Sequence, residues 1–517
     1  MKNLIFTVTL FYSLSGFAQA VVMNPGKAIG QLVILSAQDM LSENAKYKSL
    51  NPLSIPVFAE LPMNLSVVSG VITLQQQNLL SHVQIKSSAR KTPNLDISKL
   101  EGGINNPIFN GVQDGSYIEM ELIAPDTIKI SPSTEEAALA FYNSNAKQKV
   151  ELKYDLSIDR ILTMDEMDWT YADKVGSKAA NYAELAKALN SPERTVVRYS
   201  YALPFSFYNQ FVEINPAVKA MIQKVTRDPL MKRVAATEYR TTKLNELNAL
   251  IMSPQTIVDS VLIENMLALF DTIIDKNGKK RNMKLRSATN SEDLPNFNGA
   301  GLYTSAAYKA TKKKKDLSKE EKVANLTEAL KIVWGSIWNL RAFEERNYFS
   351  IPHQDVYMGI QINPSFGDEL ADGVVVTKNI ANVPILAGDG VYIEAQRGDL
   401  HSVANPNPGI KPQKILVLYD KQDPLNQDKY TVNVLQQSNI ANDMETILAQ
   451  DNPTAVMSDE EAKDLSYQCL KAVEHFRPLL GNKTDTSDFS LDIEFKVDAE
   501  DTDARQVYLK QARPYLN

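Results

Sequence analysis

The chain opens on a single apolar run, Leu4 to Phe17, behind Lys2 and ahead of Ala18-Gln19-Ala20. A positive start, a short apolar core and an Ala-x-Ala end make the pattern of a secretory signal. Residues 1–20 are therefore expected to be a signal peptide, with the mature chain beginning at Val21 and exported to the periplasm or secreted. The alternative for such a run is a buried helix or strand. A membrane anchor is not expected, because spanning takes about 20 apolar residues and Thr7, Thr9 and Ser13 interrupt this stretch. From Asn24 to about Asp126, short β-rich runs (Gln31–Leu35, Val57–Ala59, Val67–Thr73, Tyr117–Ile123) are parted by turn residues. A helical stretch near Ser81–Ser88 lies among them, so residues 21–130 read as a small α/β domain. Residues 131–164 carry a Ser/Thr cap followed by helix formers and read as a linker or helical strut. Residues 171–290 are mostly helical in pattern and end in the strand Met283–Arg286. Beyond residue 300 the pattern mixes helices with the strands Val356–Ile362, Gly373–Thr377, Gln413–Tyr419, Leu491–Val497 and Gln506–Gln511. Its clearest helix is Ser318–Tyr348, where Ser318 and Glu321 have capping-box spacing.

Composition narrows the class. A chain of 517 residues suggests about three or four domains, and 44% hydrophobic with 23% charged residues excludes both a disordered chain and a multi-span membrane protein. The formal charge of −7 offers no basic surface for nucleic acid. The single Cys469 excludes an intramolecular disulfide framework, and His82, His353, His401 and His475 are too scattered to read as a metal cluster.

Candidate chemistry sits in a few segments. Val175-Gly176-Ser177-Lys178 is a glycine turn feeding a helix with a lysine in its first turn. A cation there is useful chiefly if an anion sits at the free N–H groups. Arg286 leaves a strand into Ser287-Ala288-Thr289-Asn290-Ser291, and Gly299-Ala300-Gly301 closes the loop; small residues let backbone approach a polyphosphate and an arginine fork grips its oxygens. A plain surface loop fits the same residues. Arg341 lies late in the helix after Trp334 and Trp338, where an exposed face with i,i+4 pairing is the alternative. Asp492 and Glu494 alternate with Leu491, Ile493 and Phe495 and so share a strand face, opposite Gln511 and Arg513 on the next strand; this is a plausible Mg²⁺–phosphate platform or a solvated acidic edge. His82 follows Leu79-Leu80-Ser81 at a helix start; a lone histidine there is usually structural.

Taken in order, Val175-Gly-Ser-Lys-Ala-Ala-Asn, Arg286-Ser-Ala-Thr-Asn-Ser-Glu-Asp-Leu-Pro, Leu340-Arg-Ala-Phe-Glu-Glu-Arg, and Asp492-Ile-Glu-Phe with Gln511-Ala-Arg-Pro resemble the nucleotide-binding domain of pyruvate phosphate dikinases and phosphoenolpyruvate synthases over about residues 165–517. Leu80-Ser-His-Val resembles the swivelling phosphohistidine domain of the same enzymes, placed ahead of the nucleotide domain as in α-glucan water dikinases. The resemblance implies an α/β and α+β multidomain chain: an ATP-grasp-like domain with subdomains 165–300 and 301–517, preceded by a small swivelling β/α domain at 21–130. It implies that Lys178, Arg286 and Arg341 contact ATP phosphates around the Gly299–Gly301 loop, that Asp492 and Glu494 hold Mg²⁺ near Gln511 and Arg513, and that Gln361 lies beside the adenine. His82 would be the phosphoryl carrier, passing the β-phosphate to an unidentified acceptor, a glucan or small molecule. The sequence departs from the family at Ser177 and Ala179, where glycines are usual, at Ala288 for a serine and at Leu80 for a threonine. The family's pyruvate-binding barrel would follow Gln511–Pro514, so phosphoenolpyruvate formation by these residues alone is not expected. The rival reading is an exported nucleotide-binding or structural protein that keeps the fold without turnover.

Overall fold

The computed structural model describes residues 20–517 except 41–44, 63–64, 78, 126, 146–149, 295–296, 298, 300, 313–314, 368, 382, 399–402, 404–409, 441–454, 482–488, 502–503 and 516–517, with backbone alone at 82, 312, 315 and 316. The apolar run Leu4–Phe17 and His401 therefore lie outside the described residues. Among those described, no helix is long and apolar enough to cross a membrane.

The first module is a seven-stranded mixed sheet, in the order β1-β5-β4-β3-β2-β6-β7. Its strands are β1 (Val21–Asn24), β2 (Gly26–Leu35), β3 (Ser54–Phe58), β4 (Val71–Thr73), β5 (Asn94–Asp96), β6 (Tyr117–Ile123) and β7 (Thr127–Pro132). Strands β2 to β5 pair in parallel, and β3, β4 and β5 are buried throughout, as strands covered on both faces must be. The run Val67–Gly70, read as strand from its valines, is irregular; only Val71–Thr73 pairs. Three helices flank this sheet: α1 (Ala45–Lys48), α2 (His82–Arg90) and α3 (Glu135–Ser144). The Ser81 hydroxyl caps α2 by accepting from the Gln84 N–H, and Thr134 caps α3. Val83 of α2 packs among Leu35, Phe58, Leu65 and Val71, which fixes the helix to the sheet by burying apolar area.

The second sheet is antiparallel, in the order β11-β10-β14-β9-β8. It comprises β8 (Leu162–Thr163), β9 (Tyr201–Leu203), β10 (Met283–Thr289), β11 (Ala306–Tyr308) and β14 (Met358–Pro364), with a separate hairpin of β12 (Thr311–Lys312) and β13 (Lys315–Asp316). Around it lie α4 (Ala172–Val175), α5 (Ser177–Leu189), α6 (Phe205–Glu213), α7 (Pro216–Arg227), α8 (Thr237–Met252), α9 (Ser260–Asp271), α10 (Lys319–Gly335) and α11 (Leu340–Tyr348). The helix expected over Ser318–Tyr348 is thus two. Ser318 and Glu321 do form both bonds of the capping box, but the chain tightens to a 3₁₀ turn at Ser336–Trp338 and Asn339 turns extended before α11 begins. Trp334, Trp338 and Phe343 are buried together on both sides of that break, so the apolar pattern continues where the helix does not.

The third sheet is also antiparallel, in the order β18-β17-β16-β15-β19-β20. Its strands are β15 (Glu369–Val376), β16 (Gly390–Arg397), β17 (Gln413–Leu418), β18 (Thr431–Gln436), β19 (Leu491–Asp498) and β20 (Gln506–Pro514). It is backed by α5 and α12 (Asp459–Leu480), and one apolar cluster joins Ala183 of α5, Cys469 and Phe476 of α12, and Ile493 and Leu509 of the sheet. The shared α5 places the second and third sheets against each other.

Candidate functional site

The site is built where that junction brings distant segments together. Between α4 and α5, Gly176 adopts φ +90°, and a Cβ there would stand 2.5 Å from the Ala288 carbonyl carbon. Only glycine allows backbone so close to backbone in that conformation. The contact seats the start of α5 on the end of β10, so Lys178 Nζ donates to the Ser287 carbonyl at 2.8 Å and pairs with Glu292 Oε1 at 3.3 Å. On β10, Arg286 stands opposite Gln361 of β14 and reaches across to the third sheet. Its Nη1 donates to the Lys510 carbonyl at 2.8 Å, and its Nη2 to Glu494 Oε2 and Gln511 Oε1, both at 3.2 Å.

In the β19–β20 hairpin Asp492 is registered with Arg513 and Glu494 with Gln511. Arg513 donates from Nε at 2.9 Å and from Nη2 at 2.7 Å to the same oxygen, Asp492 Oδ2, while Asp492 Oδ1 is buried with no hydrogen-bond partner among the described residues. The register then slips: Phe495 pairs with Leu509, so Lys510 is the extra residue of a bulge and its ammonium approaches Glu494 to 3.7 Å. Burial by itself would raise the Glu494 carboxyl, but Lys510, Arg286, Arg513 and Lys178 hold it well below the usual carboxylate range. Burial brings Lys510 down to about 8, with Arg286 and Lys496 adding to the effect and Glu494 opposing it. Asp293, at φ +54°, is raised to about 6 by burial and by Glu292 and Asp492, against Arg513 and Lys178. The result is a group of interleaved charges of both signs at the junction of the two sheets.

Other predicted residues fall around this group. Gln361 stands in the middle of its strand, 1% exposed, with neither side-chain nitrogen nor oxygen hydrogen-bonded among the described residues; Asn363, two residues on and on the same face, is in the same state. Gly299 and Gly301 both have positive φ, at 69° and 66°. Arg341 is in the first turn of α11, not late in a helix. Burial lowers its pKa, and the charged or titratable groups acting on it are Glu345, Tyr47 and Arg90, the last two from the first module. The backbone of position 82 opens α2. That helix faces the third sheet across a cavity of about 320 Å³ lined by Gln84, Ile85, Ser88, Lys378, Asn379 and Asp492. Leu80, just ahead of α2, is buried against Val374, Val376 and Tyr392. Glu292, Asp293, Asn363 and Lys510 were missed by sequence reasoning. Glu292 and Asp293 stood inside a quoted motif, whereas nothing local marked Lys510.

The comparison that bears on this geometry is with protein families. A family model described as the AMP/ATP-binding domain of pyruvate phosphate dikinase matches residues 172–516, two thirds of the chain. The chain belongs to the pyruvate phosphate dikinase family. No curated protein matches it. The dikinase match begins at the first residue of α4 and takes in the glycine turn, β10 with Arg286, and the β19–β20 hairpin, so all the clustered residues lie inside an AMP/ATP-binding domain. Membership carries ATP binding and, in general terms, ATP-dependent phosphotransferase chemistry.

The buried ionic pair of this dikinase-family domain gives a direct test of its stability. With Asp492 and Arg513 both buried, Asp492→Asn strands a guanidinium opposite a neutral amide. Breaking one partner of a buried pair costs about 3–5 kcal/mol. Denaturant unfolding followed at pH 7 is expected to show a loss of that size, and an unchanged midpoint would mean the pair is solvated.

Among the described residues no group of three or more His, Cys, Asp or Glu side chains is placed to hold a metal. Magnesium sites on phosphates commonly use only one or two protein carboxylates, the rest of the shell being water and phosphate oxygen. Asp492 and Glu494 fit that requirement, because they share a strand face and Asp492 Oδ1 is a buried acceptor with no partner among the described residues.

Proposed function

We propose that the chain is an exported, dikinase-type phosphotransferase whose ATP-grasp-like lobes, residues 165–300 and 301–517, bind ATP and whose residues 21–130 form a swivelling phosphohistidine module joined through 131–164. The observation that carries this reading is the convergence of Lys178, Arg286, Glu494, Gln511, Asp492 and Arg513 from separate segments into one charged group. Phosphoryl transfer asks little covalent chemistry of the protein and much positioning and charge neutralisation, which is what such a group supplies. Lys178, Arg286 and Arg341 would hold phosphate oxygens, and the Gly299–Gly301 turn would let backbone approach them. The unfilled amide of Gln361 would read the adenine edge; a buried amide without partners is costly, and a ligand's donor and acceptor relieve the cost. Asp492 and Glu494, with Gln511 and Arg513 beside them, would hold Mg²⁺, which when bound neutralises phosphate charge.

In the step proposed, an imidazole nitrogen of His82 attacks the β-phosphorus. The N–P bond forms as the bond from that phosphorus to the oxygen shared with the α-phosphate breaks, and AMP leaves with the electron pair. Water then takes the terminal phosphoryl group as phosphate, leaving the β-phosphoryl group on His82 for an acceptor, a glucan or small molecule. The start of α2 suits this role, because free N–H groups and the helix dipole favour added negative charge. Export is supported by the apolar run Leu4–Phe17 between Lys2 and Ala18-Gln19-Ala20.

The test is incubation of the mature chain with β-labelled ATP and Mg²⁺. Acid-labile label on the unaltered protein, absent from His82→Ala while ATP affinity stays within about twofold, is the expected result. ATP binding without label on the unaltered chain would instead favour a nucleotide-binding protein without turnover, and label persisting in His82→Ala would remove that residue from the scheme.

A further inference from the structure

Lys86 lies one turn along α2 from position 82 and is 5% exposed, yet its Nζ has no hydrogen-bond partner among the described residues. An ammonium is rarely buried unpaired, because losing its hydration is costly unless an anion replaces the water. The charged groups that face it, from α2 and from the opposing α11, are Arg90, Arg341 and Glu345. Glu345 is already engaged, since the Arg90 guanidinium pairs with it and also donates to the carbonyls of Ser66 at 2.7 Å and Leu65 at 3.0 Å. That leaves Lys86 and Arg341 sharing one carboxylate that Arg90 already holds, and Arg341 Nη1 is likewise buried without a hydrogen-bond partner among the described residues. Burial, together with Arg341 and Arg90, lowers the Lys86 pKa to about 7 despite Glu345. The slot that holds Lys86 is also lined by Phe297 and Gly299, on the loop that leaves β10 after Arg286. The surplus charge therefore borders the segment already assigned to phosphates. The slot measures about 10 Å³, room for about one water, so admitting a larger anion requires the long stem of Lys86 to swing aside.

We propose that Lys86 of the first module and Arg341 of the nucleotide lobe form a two-sided anion site for a phosphate group, either the terminal phosphate of the nucleotide or free orthophosphate. The carrier module then supplies part of the phosphate grip itself, and the grip is complete only while α2 lies against α11. This inference rests on the phosphotransferase reading, and it adds Lys86 as a positioning residue.

The experiment uses the full mature chain and two probes: orthophosphate alone, and the β,γ-imido analogue of ATP with Mg²⁺. Their dissociation constants are measured by calorimetry for the unaltered chain, Lys86→Met, Lys86→Arg and Arg341→Gln. Lys86→Met keeps the length of the side chain and removes an unpaired buried charge, so its melting temperature is expected to hold or rise. The expected result is at least a tenfold loss of affinity for one probe in Lys86→Met and in Arg341→Gln, with most of it restored in Lys86→Arg. Loss for orthophosphate alone identifies free phosphate as the ligand, and loss confined to the analogue identifies the nucleotide tail. Unchanged affinity for both probes in Lys86→Met, or no binding of either probe to the unaltered chain, overturns the site. Normal labelling of His82 with no response to Lys86→Met would leave the phosphotransferase reading standing without this site. Lys86-dependent binding with no label would do the reverse.

Discussion

Arg286→Ala is expected to lower the rate of label transfer from β-labelled ATP by about 10³-fold or more, the scale on which a phosphate-contacting arginine acts. Arg286 is the side chain that crosses from the second sheet to the third, and its fork binds the Lys510 carbonyl, Glu494 and Gln511 at once. Alanine removes that bridge and leaves Glu494 with Lys510 at 3.7 Å as its nearest ion-pair partner. Glu494→Gln should have a loss of the same order by a different route, because it removes one of two carboxylates proposed for the metal. The rate of labelling is the measurement, with circular dichroism to show that both variants fold. Normal labelling in both would refute the placement of the site.

Gly176→Ala is expected to be strongly destabilising. A methyl group there meets the Ala288 carbonyl carbon at 2.5 Å and the Thr289 nitrogen at 2.8 Å, both of them backbone, and φ is +90°. Overpacking costs about 1–3 kcal/mol, and forcing an L-residue into a left-handed conformation adds about 1–2 kcal/mol. A loss of about 2–5 kcal/mol in denaturant unfolding is anticipated. Because relief of the clash lifts α5 from β10, Lys178 should lose its bond to the Ser287 carbonyl and ATP affinity should fall about tenfold, which is about 1.4 kcal/mol. A change below about 0.5 kcal/mol, the ordinary range for surface substitutions, would show that the turn is not pressed against the strand.

Much of this site could be read in the sequence because its chemistry follows local periodicity. Alternation along Leu491–Phe495 put Asp492 and Glu494 on one face, and the same face carries them in the fold, registered with Arg513 and Gln511. What alternation cannot show is its own interruption. Lys510 should point away from Gln511, and only the bulge turns it to Glu494. Arg341 was misplaced for a related reason: Trp334 and Trp338 keep a helical spacing through a 3₁₀ turn, so the break at Asn339 left no mark in the apolar pattern. The strand Gly390–Arg397 escaped notice because Glu394 and Gln396 are buried polar residues on a strand that packs as core. Lys86 gave no signal at all, since a lysine on a short helix reads as solvated until another module covers it.

The pairing within the charged group also bears on how it would accept a ligand. Lys178, Arg286, Lys510 and Arg513 are each already matched to Glu292, Glu494 or Asp492. A polyanion entering there would not meet bare cations; it would displace resident carboxylates, and the gain would be the difference between two sets of partners. Such an exchange would temper affinity, let a bound polyanion depart, and keep the two sheets latched together while none is bound.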